Sequence, residues 1–335
     1  MLQAAAPPDL ATTRRRPKQN DWRIGMMLPT ERSRGLLEMI AAMIVMGTVG
    51  YFVLESQLAP YDVVFFRCLF GAIFLALYCY ARGFFRNTGL TRKTLLIAAL
   101  SGVFLVTNWV MLFASFNIAS ISTSTVIYHT QPLFFVLMGV LFLGDKLTRD
   151  KLAWVLIAFV GVVLIVGPDM GEFSFASAEL LGVSLAIGAA ILYAVVSIIV
   201  KHLKEIKPHL IALIQVSVGV VLLAPLANLE ATSGFSQAQW TNLLILGAFH
   251  TCLTYILMYS AFKKLPTPLI AVLSYIYPVV AILVDYFAYG KAMHLVQIAG
   301  GTMILFAGYA VNQGFPIFPR AQSRSAVAAT PAERD

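Results

Sequence analysis

The polar residues of this chain gather in a few short clusters. The densest spans residues 120–132, SISTSTVIYHTQP. At helical spacing, Thr125, His129 and Pro132 stand at i, i+4 and i+7 and share one face, while Ser124, Tyr128 and Gln131 form the adjacent one. Pro132 has no N–H and so leaves the carbonyl of Tyr128, four residues back, without its helical partner. Ser274, Tyr275, Tyr277 and Pro278 repeat the theme, and Asn108, Trp109, His250, Thr254 and Tyr255 add amides, rings and hydroxyls. Such groups suit an amphipathic organic solute, held by ring stacking and a few hydrogen bonds. The candidate binding set is therefore Asn108, Trp109, Tyr128, His129, Gln131, His250, Tyr255, Ser274, Tyr275 and Tyr277, with Tyr51 and Tyr193 as further candidates. Pro132, Pro278, Arg67 and Asp285 are candidate hinge or gate residues.

Enzymatic chemistry would need a different inventory. There is no HExxH metal motif, no GxSxG elbow and no pair of deep aspartates. Cys68, Cys79 and Cys252 show neither CxxC nor metal spacing and read as small buried hydrophobes. No metal, cofactor or catalytic residue is expected. An intramembrane enzyme and a channel stand as alternatives, the latter without a visible filter or charged ring. His129 and His250 read either as neutral hydrogen-bonders or as proton carriers. Arg67 and Asp285 are expected to pair, as a lock or as a gate.

The elements that position these residues follow from composition. Of 335 residues, 59% are hydrophobic and 12% charged, about half the charge of an average soluble domain. Ten apolar stretches, near 35–54, 63–80, 94–114, 121–143, 152–168, 178–200, 209–228, 240–262, 268–289 and 295–313, each approach the ~20 residues a membrane helix needs. Continuous apolar runs such as Leu133–Leu143 lack the alternation of barrel strands. The expected fold is an all-α integral membrane protein of ten helices. Residues 1–34 read as a basic, disordered cytoplasmic arm and 314–335 as a flexible cytoplasmic tail.

With the N-terminus inside, 22 of the 24 Lys and Arg residues fall on cytoplasmic segments, leaving Lys291 outside and Arg67 within the second helix. Both termini are then cytoplasmic. The net charge of +8 belongs to a face that meets anionic lipid, so no nucleic-acid partner is expected. Nothing in the chain calls for more than a single copy.

Tyr128–Gly144 and Ser274–Gly290 align without a gap at an offset of 146, placing Pro132 on Pro278 and Gly144 on Gly290. The register extends back to Trp109 on Tyr255 and Phe116 on Phe262. The offset corresponds to five helices, an odd number, so residues 35–168 and 178–313 are expected to be five-helix repeats of opposite orientation.

On these residues the chain resembles the EamA-type members of the drug/metabolite transporter superfamily. The likeness rests on the five-plus-five arrangement, Arg67 within FFRCLFGAIFL, the prolines within helices 4 and 9, and LGDKLTRDKLAWVLIAFVGVVLIV across helices 4 and 5. The last is similar to the family's Leu-Gly-Glu-Arg-Leu stretch and the Gly-containing helix after it. Asp145 stands where the family usually has Glu, and Lys291 reverses the charge at the equivalent place in the second half. The resemblance implies a secondary transporter, often an exporter, of amino acids, their derivatives or other metabolites. Together with the repeat, it leads to the expectation of alternating access in a cytoplasmic membrane, with a small metabolite and the bilayer as partners.

Overall fold

The computed structural model describes residues 30–119, 121–167, 177–290 and 292–318. The expected basic arm, apart from its last five residues, the tail beyond Phe318, Pro168 and Lys291 lie outside these. Among the described residues there is no strand. The helices are α1 (Glu31–Gly47), α2 (Val49–Ser56), α3 (Pro60–Ala81), α4 (Arg92–Ala119), α5 (Ile121–Tyr128), α6 (Gln131–Leu143), α7 (Arg149–Val166), α8 (Ser177–His202), α9 (Pro208–Leu223), α10 (Gln237–Ile245), α11 (Thr254–Lys264), α12 (Thr267–Ser274), α13 (Ile276–Tyr289) and α14 (Leu295–Gln313). A π-helical stretch, Leu246–Leu253, joins α10 to α11.

These helices assemble into ten rods at the places the apolar stretches predict, because α1–α2, α5–α6, α10–α11 and α12–α13 each continue one another. Eight rods are long and apolar enough to cross a membrane. The other two are shorter. The first turn of α7 carries Arg149, Asp150 and Lys151, and α9 ends at Leu223, five residues before the expected 228, because Pro225 cannot continue it. The 22 residues of α3 span about 33 Å at ~1.5 Å per residue, which covers a bilayer core. Large apolar side chains such as Leu141, Val221, Phe287 and Leu295 stay exposed along the outside, where lipid tails replace water as their surroundings.

The two halves pack as each other's counterparts. α4 lies on α8 as α11 lies on α1, α4 on α9 as the π stretch on α3, and α6 on α8 as α13 on α1. Rods five apart also meet, and they run in opposite directions. Asp62, at the start of α3, accepts from the backbone N–H of Asn228, beyond the end of α9, at 2.7 Å. Trp154, early in α7, donates to the carbonyl of Phe315, past the end of α14, while Gln297 at the start of α14 donates to the carbonyl of Ile165 at the end of α7. Equivalent rods that pair antiparallel make the repeat an inverted one.

Where rods cross closely, only glycine fits. A Cβ on Gly161 would stand 2.7 Å from the carbonyl oxygen of Gly300, and one on Gly300 2.5 Å from that of Gly161. This is the small-residue crossing of membrane helices. The stripe Ala186, Ala190 and Ala194 on α8 is fully buried in the same way.

Candidate functional site

Besides the break at Thr48 in the first rod, two rods are broken midway, and they are the two the repeat aligns. The fourth breaks at His129–Thr130, between α5 and α6, and the ninth at Tyr275, between α12 and α13. Pro132 and Pro278 each stand just inside the second piece, where a missing N–H costs least. At both far ends a left-handed glycine stops the helix: Gly144 and Gly290 each have φ +66°. The broken segments meet: the rings of His129 and Tyr277 stack with centroids 5.4 Å apart and planes 14° from parallel.

Around this stack the polar set assembles. His129 Nδ1 lies 2.7 Å from the carbonyl of Thr125. A carbonyl only accepts, so Nδ1 carries the proton, and in the neutral ring Nε2 is left as an acceptor. Tyr128 donates to Asn108 Oδ1 at 3.4 Å, and Asn108 Nδ2 donates to the carbonyl of Ala189 at 2.6 Å. The ring of Tyr193 lies 6.3 Å from that of Tyr128, and its hydroxyl donates to Met258 Sδ. The fourth, sixth and ninth rods therefore share one polar, ring-lined centre with the third.

Arg67 sits beside it on α3, 8% exposed. Its Nε donates to Thr251 Oγ1 at 2.9 Å, its Nη2 to the carbonyl of His250 at 3.0 Å, and its guanidinium covers the Trp109 ring at 5.0 Å. The π-helical stretch creates these acceptors, since its widened turn takes carbonyls and side chains off the ordinary ladder. Thr251 Oγ1 donates to the carbonyl of Leu246, five residues back, which turns its lone pairs toward Arg67. A glycine crossing brings the two rods this close: a Cβ on Gly71 would be 2.4 Å from Thr251 Cγ2, and one on Gly247 would be 2.3 Å from Phe70 Cβ.

Several expectations need revision. The expected Arg67–Asp285 pair is replaced by Thr251, the His250 carbonyl and Trp109. Asp285 lies two turns beyond Pro278 on α13, a helix that packs against α1, α2, α7 and α14 rather than α3. Tyr275 and Tyr277 do not act together. Two residues turn a helix by about 200°, and Tyr275 packs toward Phe159 of α7 with its hydroxyl buried and unbonded. Ser274 returns its hydroxyl to the carbonyl of Ile270. Gln131 is buried at the first turn of α6. Tyr51 stacks near Tyr289, away from the centre.

His250 is a structural pin. Thr48 Oγ1 donates to the carbonyl of Val45 and so accepts from His250 Nε2 at 2.9 Å. This bond ties the break between α1 and α2 to the π stretch. His250→Ala is expected to lower stability by about 1–3 kcal/mol, the cost of stranding buried partners, measured as a lower inactivation temperature in detergent. An unchanged temperature would remove the pin.

Other participants carried weak signals or none. The Tyr255 ring lies 5.1 Å from that of Tyr259, tilted by 56°, and Tyr259 donates to Gln215 Oε1 at 2.6 Å, whose Nε2 donates to Ser101 at 2.8 Å. This buried relay links the eighth, seventh and third rods. At the basic end, Lys201 is buried and donates to the carbonyl of Leu265 at 3.1 Å and to Thr267 at 2.7 Å, with Asp145 Oδ2 at 3.8 Å. Thr267 donates to Asp145 in turn. Nearby, Lys264 pairs with Glu38 at 2.5 Å, and Arg32, at the start of the first rod, donates to the carbonyl of Asn312 at the end of the tenth. Lys201 falls on Glu55 at the 146-residue offset, so the charge reversal from Asp145 to Lys291 is matched by one in its partner position. At the opposite end, a recess of about 320 Å³ opens between α2 and α13, lined by Thr48, Tyr51, Phe52, Val280, Leu283 and Phe287 among others.

Paired inverted helical repeats around a buried polar centre define a multi-pass membrane transporter. The model of the EamA-like transporter family matches residues 33–167 and again 180–313. The chain belongs to that family. It is 30% identical over 282 residues to an uncharacterized transporter of Bacillus subtilis, YxxF, covering 84% of this chain and 90% of that one. It is also 27% identical over 259 residues to a protein of Rickettsia felis named S-adenosylmethionine uptake transporter, covering 75% and 82%. A solved crystal structure, 19% identical, superposes with a TM-score of 0.75 over 84% of this chain and 97% of its own, a likeness of fold.

Proposed function

We propose that this protein is a secondary transporter that moves a small amphipathic metabolite, such as an amino acid or a related compound, by alternating access. The observation that carries the reading is the His129–Tyr277 stack. It joins the broken rods of the two halves at the centre, with Tyr128 and Asn108 beside it. Breaks in helices are tolerated at membrane depth where they line a cavity, and repeat-related breaks allow two mirrored arrangements of one architecture. In this reading the cluster of Lys201, Asp145 and Thr267 closes the basic end. The lysines and arginines at that basic end favour the cytoplasmic side of the cell membrane.

A relative named for S-adenosylmethionine uptake fits the same substrate chemistry, an amino-acid end joined to a flat aromatic group. Export remains the direction proposed from the family's general habit. Purified protein in liposomes is expected to give saturable, counterflow-stimulated flux of one compound in an amino-acid and metabolite panel. Tyr277→Ala should weaken apparent affinity by about tenfold, the scale of one lost aromatic contact with its burial. Linear, non-saturating flux would favour a channel instead.

A further inference from the structure

Arg67 has more donors than the described residues take up. A guanidinium carries five N–H groups. One goes to Thr251 and one to the carbonyl of His250, so three remain, two of them on Nη1. The buried side-chain nitrogens and oxygens that lack a partner among the described residues are Glu38 Oε2, Ser124 Oγ, His209 Nδ1 and Tyr275 Oη. Arg67 Nη1 is not among them, and no bond to a described residue uses it, so it keeps some exposed surface on a residue that is 8% exposed. Its partners are also neutral. The ion pairs between described residues join Arg34 to Glu31, Lys201 to Asp145 and Lys264 to Glu38. A charge at this depth is costly without a counter-charge. Arg67 is therefore a positive charge without an acidic partner among the described residues, beside the polar centre. Its field reaches the hydroxyls of Tyr128, Tyr193, Tyr255 and Tyr277.

We propose that Arg67 is the docking point for a carboxylate of the transported solute, which supplies the missing counter-charge while the rest of the molecule lies against the Trp109, Tyr128 and Tyr277 rings. The fork of a guanidinium matches a carboxylate in plane and spacing. One cation balances one carboxylate, whereas a phosphate dianion would bring a second charge for which this centre has no cation. Thr251 and the His250 carbonyl hold the guanidinium by Nε and Nη2, and this fixes the direction in which Nη1 points. The substrate class becomes acids and zwitterions with an apolar or aromatic body. This inference rests on the transport reading above and sharpens it.

Matched compounds test it: L-phenylalanine against L-phenylalaninamide, phenylacetate against phenylacetamide, and S-adenosylmethionine against its carboxamide, with glucose 6-phosphate as the phosphate arm. Each is assayed for thermal stabilisation of the detergent-solubilised protein and for counterflow in liposomes. The acids are expected to stabilise the protein at concentrations at least tenfold lower than their amides. Arg67→Gln should erase that preference, and Arg67→Lys, which keeps the charge and loses the fork, should retain part of it. Should Arg67→Gln fail to fold, the acid-to-amide preference of the unaltered protein still decides. Equal response to acid and amide, or a preference intact in a folded Arg67→Gln variant, overturns the assignment, as does a response confined to the phosphate ester. Counterflow without acid preference would leave transport standing and remove the role of Arg67. Acid-selective stabilisation without flux of any compound would do the reverse.

Discussion

Asp145→Ala is expected to damage the basic end more than Lys201→Met, although both break the same ion pair. Lys201 has a side chain only 9% exposed, against 26% for Asp145. Removing the acid strands a buried ammonium, which costs about 3–5 kcal/mol where a buried pair is broken from one side. Removing the lysine leaves a carboxylate that reaches water and still accepts from Thr267, at about 1–3 kcal/mol. The double variant Lys201→Met/Asp145→Leu removes both charges and should lie closer to the unaltered protein than Asp145→Ala does. On the proposed alternating-access reading, these costs fall on the arrangement in which the basic end is shut. Hydrogen exchange of the segments 199–207 and 263–273 measures it directly, with the largest loss of protection expected in Asp145→Ala. If Lys201→Met exposed these segments more, the cluster would not be the tie that closes this end.

Gly247→Ala is expected to abolish most binding with one added methyl group. The new Cβ would stand 2.3 Å from Phe70 Cβ and 3.1 Å from the backbone nitrogen of Gly71. Neither is the loose end of a flexible side chain, so the rods must separate. Overpacking of this kind costs about 1–3 kcal/mol of stability. The larger effect is on geometry. Thr251 and His250 lie within four residues of Gly247 and hold Arg67 at 2.9 and 3.0 Å, so a shift of several tenths of an ångström weakens both bonds and turns Nη1 away. Ligand affinity should fall by about tenfold or more, since hydrogen bonds to a charged group are worth ~1.5–3 kcal/mol each. Thermal stabilisation by the transported compound reads this against the variant's own baseline. Full ligand response in Gly247→Ala would mean that the crossing does not position Arg67.

The class of the molecule, its rods and its internal repeat were legible in the sequence because they rest on local quantities. A run of apolar residues must be helical in lipid, and Pro132 and Pro278 break a helix wherever it packs. The lysine and arginine bias marks one end of each rod in the same local way. The boundaries missed by five residues at the end of α4, which runs on to Ala119, and at the end of α9, where Pro225 was overlooked. Asn108, Tyr128, His129 and Tyr277 were singled out because polar groups within an apolar run stand out one residue at a time.

The partners of those groups were not legible, and the physical reason is that partnership in a bundle depends on rotation and crossing rather than on composition. Arg67 had one evident acid to pair with in Asp285, yet its acceptors come from a widened turn and a threonine on the eighth rod, brought near by Gly71 and Gly247. Tyr275 and Tyr277 looked equivalent until the break at Tyr275 turned one toward α7 and the other onto His129. Lys201 read as one more cytoplasmic positive charge until the ends of three rods enclosed it with Asp145 and Thr267. The sequence by itself determined a ten-rod membrane bundle built twice in opposite senses. Only the packing of those rods decided which polar residues meet, and it left Arg67 with donors that the described residues do not fill.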